Sequence, residues 1–224
     1  MNVKDIRNQL IYNYKTKSFV TDKSGVKTVE IINANFIADE ETIFAPLNHD
    51  YIEKELAWYL KKSLNVFDID REPPKIWRDV ADKFGNINSN YGWCIWSSTN
   101  FYQYESALEE LRRNPDSRRA IMIYTRPSMQ VEYNYQGKSD FICTNTVQYF
   151  IRDKKLITVV NMRSNDAIFG YRNDYAWQAY VQANLLCDLH DAGLEAVDLG
   201  PIHWNAGSLH IYERHFKYLE EEAK

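Results

Sequence analysis

The stretch Arg163-Ser164-Asn165-Asp166-Ala167-Ile168-Phe169-Gly170-Tyr171-Arg172-Asn173-Asp174 gathers two guanidiniums, two carboxylates, a hydroxyl and a glycine between two apolar segments. Charges set between buried elements are costly unless they meet a ligand or one another. The plainer alternative is a solvated connection with an internal Arg–Asp pair. Other groups with chemical potential are scattered along the chain. Arg118-Arg119 stands at the mouth of a strand, either as ordinary surface or as a phosphate clamp, since a guanidinium fork matches phosphate oxygens. Lys23-Ser24-Gly25 can form a small anion-binding turn. Glu55 falls on an apolar helical stripe, so it either reaches solvent at the stripe edge or sits with a raised pKa suited to general acid–base work. Cys143, by pattern alone, reads as a small buried hydrophobe at the start of a strand. His203, His210 and His215 have no zinc-finger spacing and no H-x-x-x-H, so no metal is expected.

The elements that position these groups follow from periodicity and turn chemistry. Residues 3–13 read as a helix and 28–37 as a strand. Asn48 or Asp50 caps a helix running to about Ser63, with Ile52, Leu56, Tyr59 and Leu60 inward and Glu55 among them. A helix at 75–83 carries Trp77 after Pro73-Pro74. The segment 87–98 is rich in aromatics, includes Tyr91, and buries Cys94. A helix at 101–113 turns Tyr102, Leu108 and Leu111 inward. Strands are expected at 120–125, 141–150 and 155–162. After the charged stretch comes a long helix whose Ala176, Ala179, Tyr180, Ala183, Leu186 and Cys187 recur at helical spacing, stopped by Gly193. A strand at 200–208 follows, and His210-Ile211-Tyr212 is expected to start the terminal helix.

One domain of 224 residues, 45% hydrophobic, can build a sizeable core. With 16 tyrosines and 6 tryptophans, polar-tipped aromatics are expected to line a cleft as well as fill the core. A formal charge of -4 argues against direct DNA binding and against a generic nucleic-acid binder. The sequence shows no transmembrane run and no secretory h-region, and three cysteines in no disulfide or metal spacing fit a reduced, cytoplasmic setting. A zinc deaminase is disfavoured because Pro-Cys-x-x-Cys is missing.

Taken in order, Asp116-Ser117-Arg118-Arg119, the run 121–129, Cys143-Thr144-Asn145-Thr146-Val147-Gln148-Tyr149, the run 161–177 and His210-x-Tyr212 resemble the thymidylate synthase superfamily over nearly the whole chain. Within it, the likeness is closer still to the deoxycytidylate hydroxymethylases of T-even-type bacteriophages. The resemblance implies an α+β fold, a mixed β-sheet covered by helices on one face, in a sheet-to-sheet homodimer whose subunits share active sites. It implies Cys143 as the nucleophile toward C6 of a pyrimidine, and Glu55 as manager of water and protons over the base. Arg163, Ser164 and Lys23 would hold the 5′-phosphate, with Arg118 and Arg119 reaching it from the partner subunit. His210 and Tyr212 would bind the 3′-hydroxyl. Trp77 and Asp166 would lie along the folate, 5,10-methylenetetrahydrofolate, and Tyr91 would join the polar network near Cys143. Contacts within a phage nucleotide-synthesis complex are also compatible with it. Set against synthases, the Glu-rich end departs from the tail that closes over folate there, so a different closure over folate is expected.

Asp174 bears on the substrate. Synthases carry asparagine there, whose amide complements uracil; cytosine presents the reverse edge, an N4 donor and an N3 acceptor. A carboxylate accepts from N4–H, and from N3 once protonated. Polar rejection of the wrong edge can reach roughly 10⁴-fold. The expected substrate is therefore dCMP. A uracil- or ribo-CMP-directed enzyme of the same family remains the nearest alternative, and an RNA-binding scaffold the remotest.

Overall fold

The computed structural model describes residues 1–21 and 25–222, so the expected anion turn at Lys23 lies outside the described residues. In chain order the elements are α1 (Val3–Lys15), β1 (Phe19–Thr21), β2 (Lys27–Ile37), α2 (His49–Lys61), α3 (Lys75–Val80), α4 (Tyr91–Trp96) and α5 (Gln103–Arg113). They continue with β3 (Ile121–Ile123), α6 (Met129–Glu132), β4 (Thr144–Arg152), β5 (Lys155–Met162), β6 (Asn165–Asp166), α7 (Gly170–Asp191), β7 (Asp198–Tyr212) and α8 (Phe216–Glu222). The chain divides into two compact units, Met1–Leu47 with Ile151–Lys224, and Asn48–Phe150.

The first unit is built on β7. β2 pairs with it antiparallel, while β5 and β6 pair with it parallel, giving a mixed sheet with β1 beyond β2. α1 packs on β2, and α7 packs against β5 and β7. Val29, Phe36, Leu156, Val160, Trp204 and Leu209 are fully or almost fully buried in its core. The α+β class and the mixed sheet agree with the sequence reading, and β5 has the expected bounds.

A kink crosses this sheet. Inward residues of β5 and β7 fall on even numbers as far as Met162 and Ala206, then on odd numbers from Asn165 and Leu209. Arg163 and Ser164 lie in the break, opposite Gly207 and Ser208. On β2 the same line passes through Asn33, whose φ is 55°. Gly207 is needed here, because a Cβ would stand 2.8 Å from the Arg163 carbonyl. That carbonyl instead accepts from the Ser208 N–H at 3.1 Å.

Three sequence expectations are corrected. The inward face of α7 is Trp177, Gln178, Val181, Gln182, Leu185 and Leu189; Ala183 and Cys187 are exposed. Buried glutamines on that face break the apolar periodicity. Gln182 earns its place by donating to the Leu156 carbonyl at 2.7 Å and the Gly200 carbonyl at 3.1 Å, where the β5–β7 register shifts. Second, His210 to Tyr212 finish β7 and do not start a helix, since their backbones stay in register with Thr28 to Glu30. Third, Leu60 and Tyr102 are exposed, and Tyr102 has a left-handed backbone just before α5.

In the second unit α2 and α4 pack directly. Gly92 permits it: any Cβ there would fall 1.9 Å from the Tyr59 carbonyl. β3 and β4 form an antiparallel pair, Ile121 opposite Gln148. Cys94 is buried, as expected.

Replacing Gln182 by Leu keeps the volume but strips a donor from the buried Leu156 carbonyl and the part-buried Gly200 carbonyl. The variant should lose about 1–3 kcal/mol of stability, read as a lower urea midpoint with an unchanged slope.

Candidate active site

In the second unit, Asn48 caps α2 by accepting from the Tyr51 N–H, and the helix then turns Glu55 inward beside Trp58 and Tyr59. Glu55 is only 6% exposed. Its Oε1 accepts from the Tyr51 hydroxyl at 2.7 Å and from the Trp77 indole N–H at 3.2 Å; the same N–H also reaches the Tyr51 oxygen at 2.9 Å. Both donors meet one oxygen of the carboxylate. Burial dominates and raises the Glu55 pKa from 4.5 to about 7, against the pull of the Tyr51 and Trp77 hydrogen bonds. A carboxyl balanced near neutrality can take up or give a proton at working pH. Tyr51 is the partner that sequence reasoning missed, although its spacing of four residues from Glu55 on one helix face was there to be read.

Tyr91 is buried at the start of α4, stacked on Tyr59 at 5.3 Å and edge-on to Tyr124 at 5.3 Å. Cys143 is half-buried just ahead of β4, its Sγ 3.9 Å from the Phe141 carbonyl. Cys94 is unsuited to nucleophilic work, because burial pushes its thiol up to about 12. Arg118 and Arg119 are exposed beside β3. Gln148 secures the Arg118 backbone by donating to its carbonyl at 2.7 Å, and Glu110 meets the Arg119 guanidinium at 3.1 Å.

In the first unit, the break after β5 presents Arg163 at the surface and Ser164 half-exposed. Beyond it, three groups form a one-way chain. The Trp204 indole N–H donates to Asn165 Oδ1 at 3.2 Å, and Asn165 Nδ2 donates to Asp174 Oδ2 at 2.8 Å. An indole N–H can only donate, so the Asn165 amide orientation follows, and Asp174 must accept. Gly170 keeps this corner open; a Cβ would lie 3.2 Å from Asp166 Cβ and 3.4 Å from Asn165 Nδ2. Asn165 carries no charge and so drew no role from the sequence.

Asp166 pairs in register with His210 on β7, and its carboxylate accepts the Ile168 and Phe169 N–H groups at 3.1 and 3.3 Å. His210 is 8% exposed, with its ring edge-on to Tyr212 at 4.8 Å. Desolvation lowers its pKa, opposed by Asp166 and Glu30. Of the two groups expected along a folate, Trp77 is half-exposed and Asp166 accepts from the backbone N–H groups that follow it. Among the described residues, no group of three or more His, Cys, Asp or Glu is arranged for a metal ion, and no helix is long and apolar enough to cross a membrane.

The raised pKa of Glu55 has a measurable consequence. The folded protein holds this proton more tightly than the unfolded chain, so its contribution to stability is full below pH 4.5 and lost as pH rises through 7. Glu55→Gln should remove about 3 kcal/mol of pH dependence between pH 4.5 and 8, leaving the variant more stable than the parent at pH 8. Urea melts at both pH values test this, and parallel pH trends would contradict it.

Comparison with known proteins adds independent evidence. A thymidylate synthase family model matches residues 12–224. The deoxycytidylate 5-hydroxymethyltransferase of Enterobacteria phage T4 is 60% identical over 221 residues, covering 98% of this chain and 90% of the relative. The enzyme of the same name from Enterobacteria phage T6 gives the same identity and coverage. A thymidylate synthase of Buchnera aphidicola is 24% identical over 233 residues, 97% of this chain and 81% of that one.

Proposed function

The chain belongs to the thymidylate synthase family, and from that premise we propose that it converts dCMP to 5-hydroxymethyl-dCMP, acting as a single catalytic domain over residues 1–224. The observation that carries this reading is a carboxylate at position 174, an acceptor by its own chemistry, whose Oδ2 is held by the Asn165 amide that Trp204 orients. An acceptor at the base-reading position suits the N4 amino group of cytosine and a protonated N3, and mismatches the O4 of uracil. The 60% identity to phage enzymes named for this reaction supports the same choice.

Cys143 thiolate adds to C6 of dCMP, and the electron pair makes C5 nucleophilic. Asp174 governs the proton at N3. 5,10-Methylenetetrahydrofolate supplies the one-carbon unit, with Trp77 and Asp166 along it and Tyr91 in the polar network near Cys143. C5 bonds to that carbon and sheds its proton as the carbon's bond to the folate nitrogen breaks, so that tetrahydrofolate leaves and an exocyclic methylene remains. Water then adds to the methylene and the Cys143 thiolate departs from C6. Glu55, with Oε1 engaged by Tyr51 and Trp77, orients that water through its other oxygen. A thiol of ordinary pKa about 8.5 needs nearby cations to react at neutral pH. Arg163, with Arg118 and Arg119 of the partner subunit in a sheet-to-sheet homodimer, supplies them while gripping the 5′-phosphate with Ser164 and Lys23. His210 and Tyr212 take the sugar 3′-hydroxyl. The product feeds modified cytosine into phage DNA synthesis in the host cytoplasm.

The deciding experiment incubates dCMP, dUMP and CMP separately with methylenetetrahydrofolate and identifies each product by mass. A hydroxymethyl product from dCMP alone is expected; a methyl product would overturn the water step. Cys143→Ala should abolish turnover while dCMP still binds, as measured by calorimetry. Asp174→Asn should shift preference toward dUMP by at least 10²-fold in kcat/KM, on the order of magnitude that polar edge matching provides.

A further inference from the structure

His210 has a partner chain of its own, made by two residues that the sequence did not single out. Glu30 on β2 lies directly opposite His210 on β7, and Ser208 precedes His210 by two residues on the same strand. The Ser208 hydroxyl lies 2.5 Å from Glu30 Oε1 and 3.2 Å from His210 Nδ1. A serine hydroxyl has one proton to give, and a carboxylate can only accept. The proton therefore goes to Glu30, and the Ser208 oxygen turns a lone pair toward the ring. Only a protonated Nδ1 satisfies that lone pair. Desolvation favours the neutral ring, while a hydrogen bond to the Ser208 backbone also favours a proton on it. A neutral imidazole carries one proton, so Nε2 is left bare.

We propose that Glu30 and Ser208 are positioning residues that lock His210 with its proton on Nδ1, so that Nε2 meets the ligand as an acceptor and selects nucleotides bearing a free 3′-hydroxyl. The proposal deepens the reading above and rests on its assignment of His210 to the sugar. Its consequence is a substrate class. A free 3′-hydroxyl donates to bare Nε2; a 3′-phosphodiester has no proton there and brings a negative charge instead. A 3′-deoxy sugar leaves the buried nitrogen without a partner. The sugar end of the site thereby distinguishes a nucleotide with a free 3′-hydroxyl from the same nucleotide linked through its 3′-oxygen.

The test has two arms on the full-length protein. Long-range ¹H–¹⁵N correlation spectra of the ¹⁵N-histidine-labelled protein, without nucleotide, should show His210 protonated on Nδ1 and bare at Nε2. In Ser208→Ala that preference should collapse or reverse, and in Ser208→Thr, which keeps the hydroxyl, it should return. Calorimetry should then show the parent binding dCMP about tenfold more tightly than 2′,3′-dideoxy-CMP, as expected for one hydrogen bond to a buried acceptor. Ser208→Ala should bring that ratio close to one and Ser208→Thr should restore it. A parent His210 already protonated on Nε2 overturns the lock, as does a Ser208→Ala variant that keeps both tautomer and ratio. A parent that binds neither nucleotide overturns the nucleotide reading and the selectivity with it, while the spectra still decide the tautomer.

Discussion

The indole N–H of Trp204 has no acceptor capacity, and the order of donors and acceptors from Asn165 to Asp174 descends from that one-way character. It fixes which end of the Asn165 amide faces inward, and Asn165 then presents Asp174 with a donor. Polarity set by a buried, fully packed tryptophan is hard to invert, because turning the amide would oppose two donors. The second unit repeats the device with Trp77 on Glu55. Ser208 does the same work for His210 by a different route, with Glu30 as the acceptor that anchors the sequence of bonds. In each unit, the donor and acceptor roles of an acidic or imidazole side chain are thus decided by the residues behind it.

This arrangement explains why some of the site was legible in the sequence and some was not. Glu55 was visible because helical period puts it on the stripe with Tyr59, and burial confirms that placement. The bounds of β5 and the glycine stop after α7 follow from local chemistry and hold in the fold. Glu30 and Ser208 are 178 residues apart in sequence, and nothing in either neighbourhood announces the other. Asn165 lay in plain view but without charge, inside a stretch read for its ions. The long helix misled for a related reason: Gln178 and Gln182 occupy the buried face, so the apolar pattern pointed to a neighbouring one. Strand-ending His210-Ile211-Tyr212 looked like a helix start because β7 runs past the kink, which no short-range signal marks.

Stability and chemistry pull against each other at Glu55. A glutamate almost without solvent is an expensive core residue, and two hydrogen bonds to one oxygen only partly offset its desolvation. One turn further along α2, Gly92 lets α4 approach the Tyr59 backbone closely and Tyr59 stacks on Tyr91. A looser contact between α2 and α4 would admit water and return the carboxyl toward its ordinary range.

The kink through Asn33, Gly207 and Arg163 couples features that sequence keeps apart. Side chains alternate along a strand, so losing or gaining one residue between Met162 and Asn165 would turn Asn165 away from Trp204 and Asp166 away from His210 at the same stroke. A matching change in β7 at Gly207-Ser208 would be needed to restore the parity. The pairing of the strands therefore constrains the length of that break, separately from whatever the side chains at 163 and 164 are needed for, and it cannot change in one strand alone. Insertions and deletions there should be nearly absent among descendants, and where one survives, its counterpart should be found some 44 residues downstream, the offset that pairs Asn165 with Leu209.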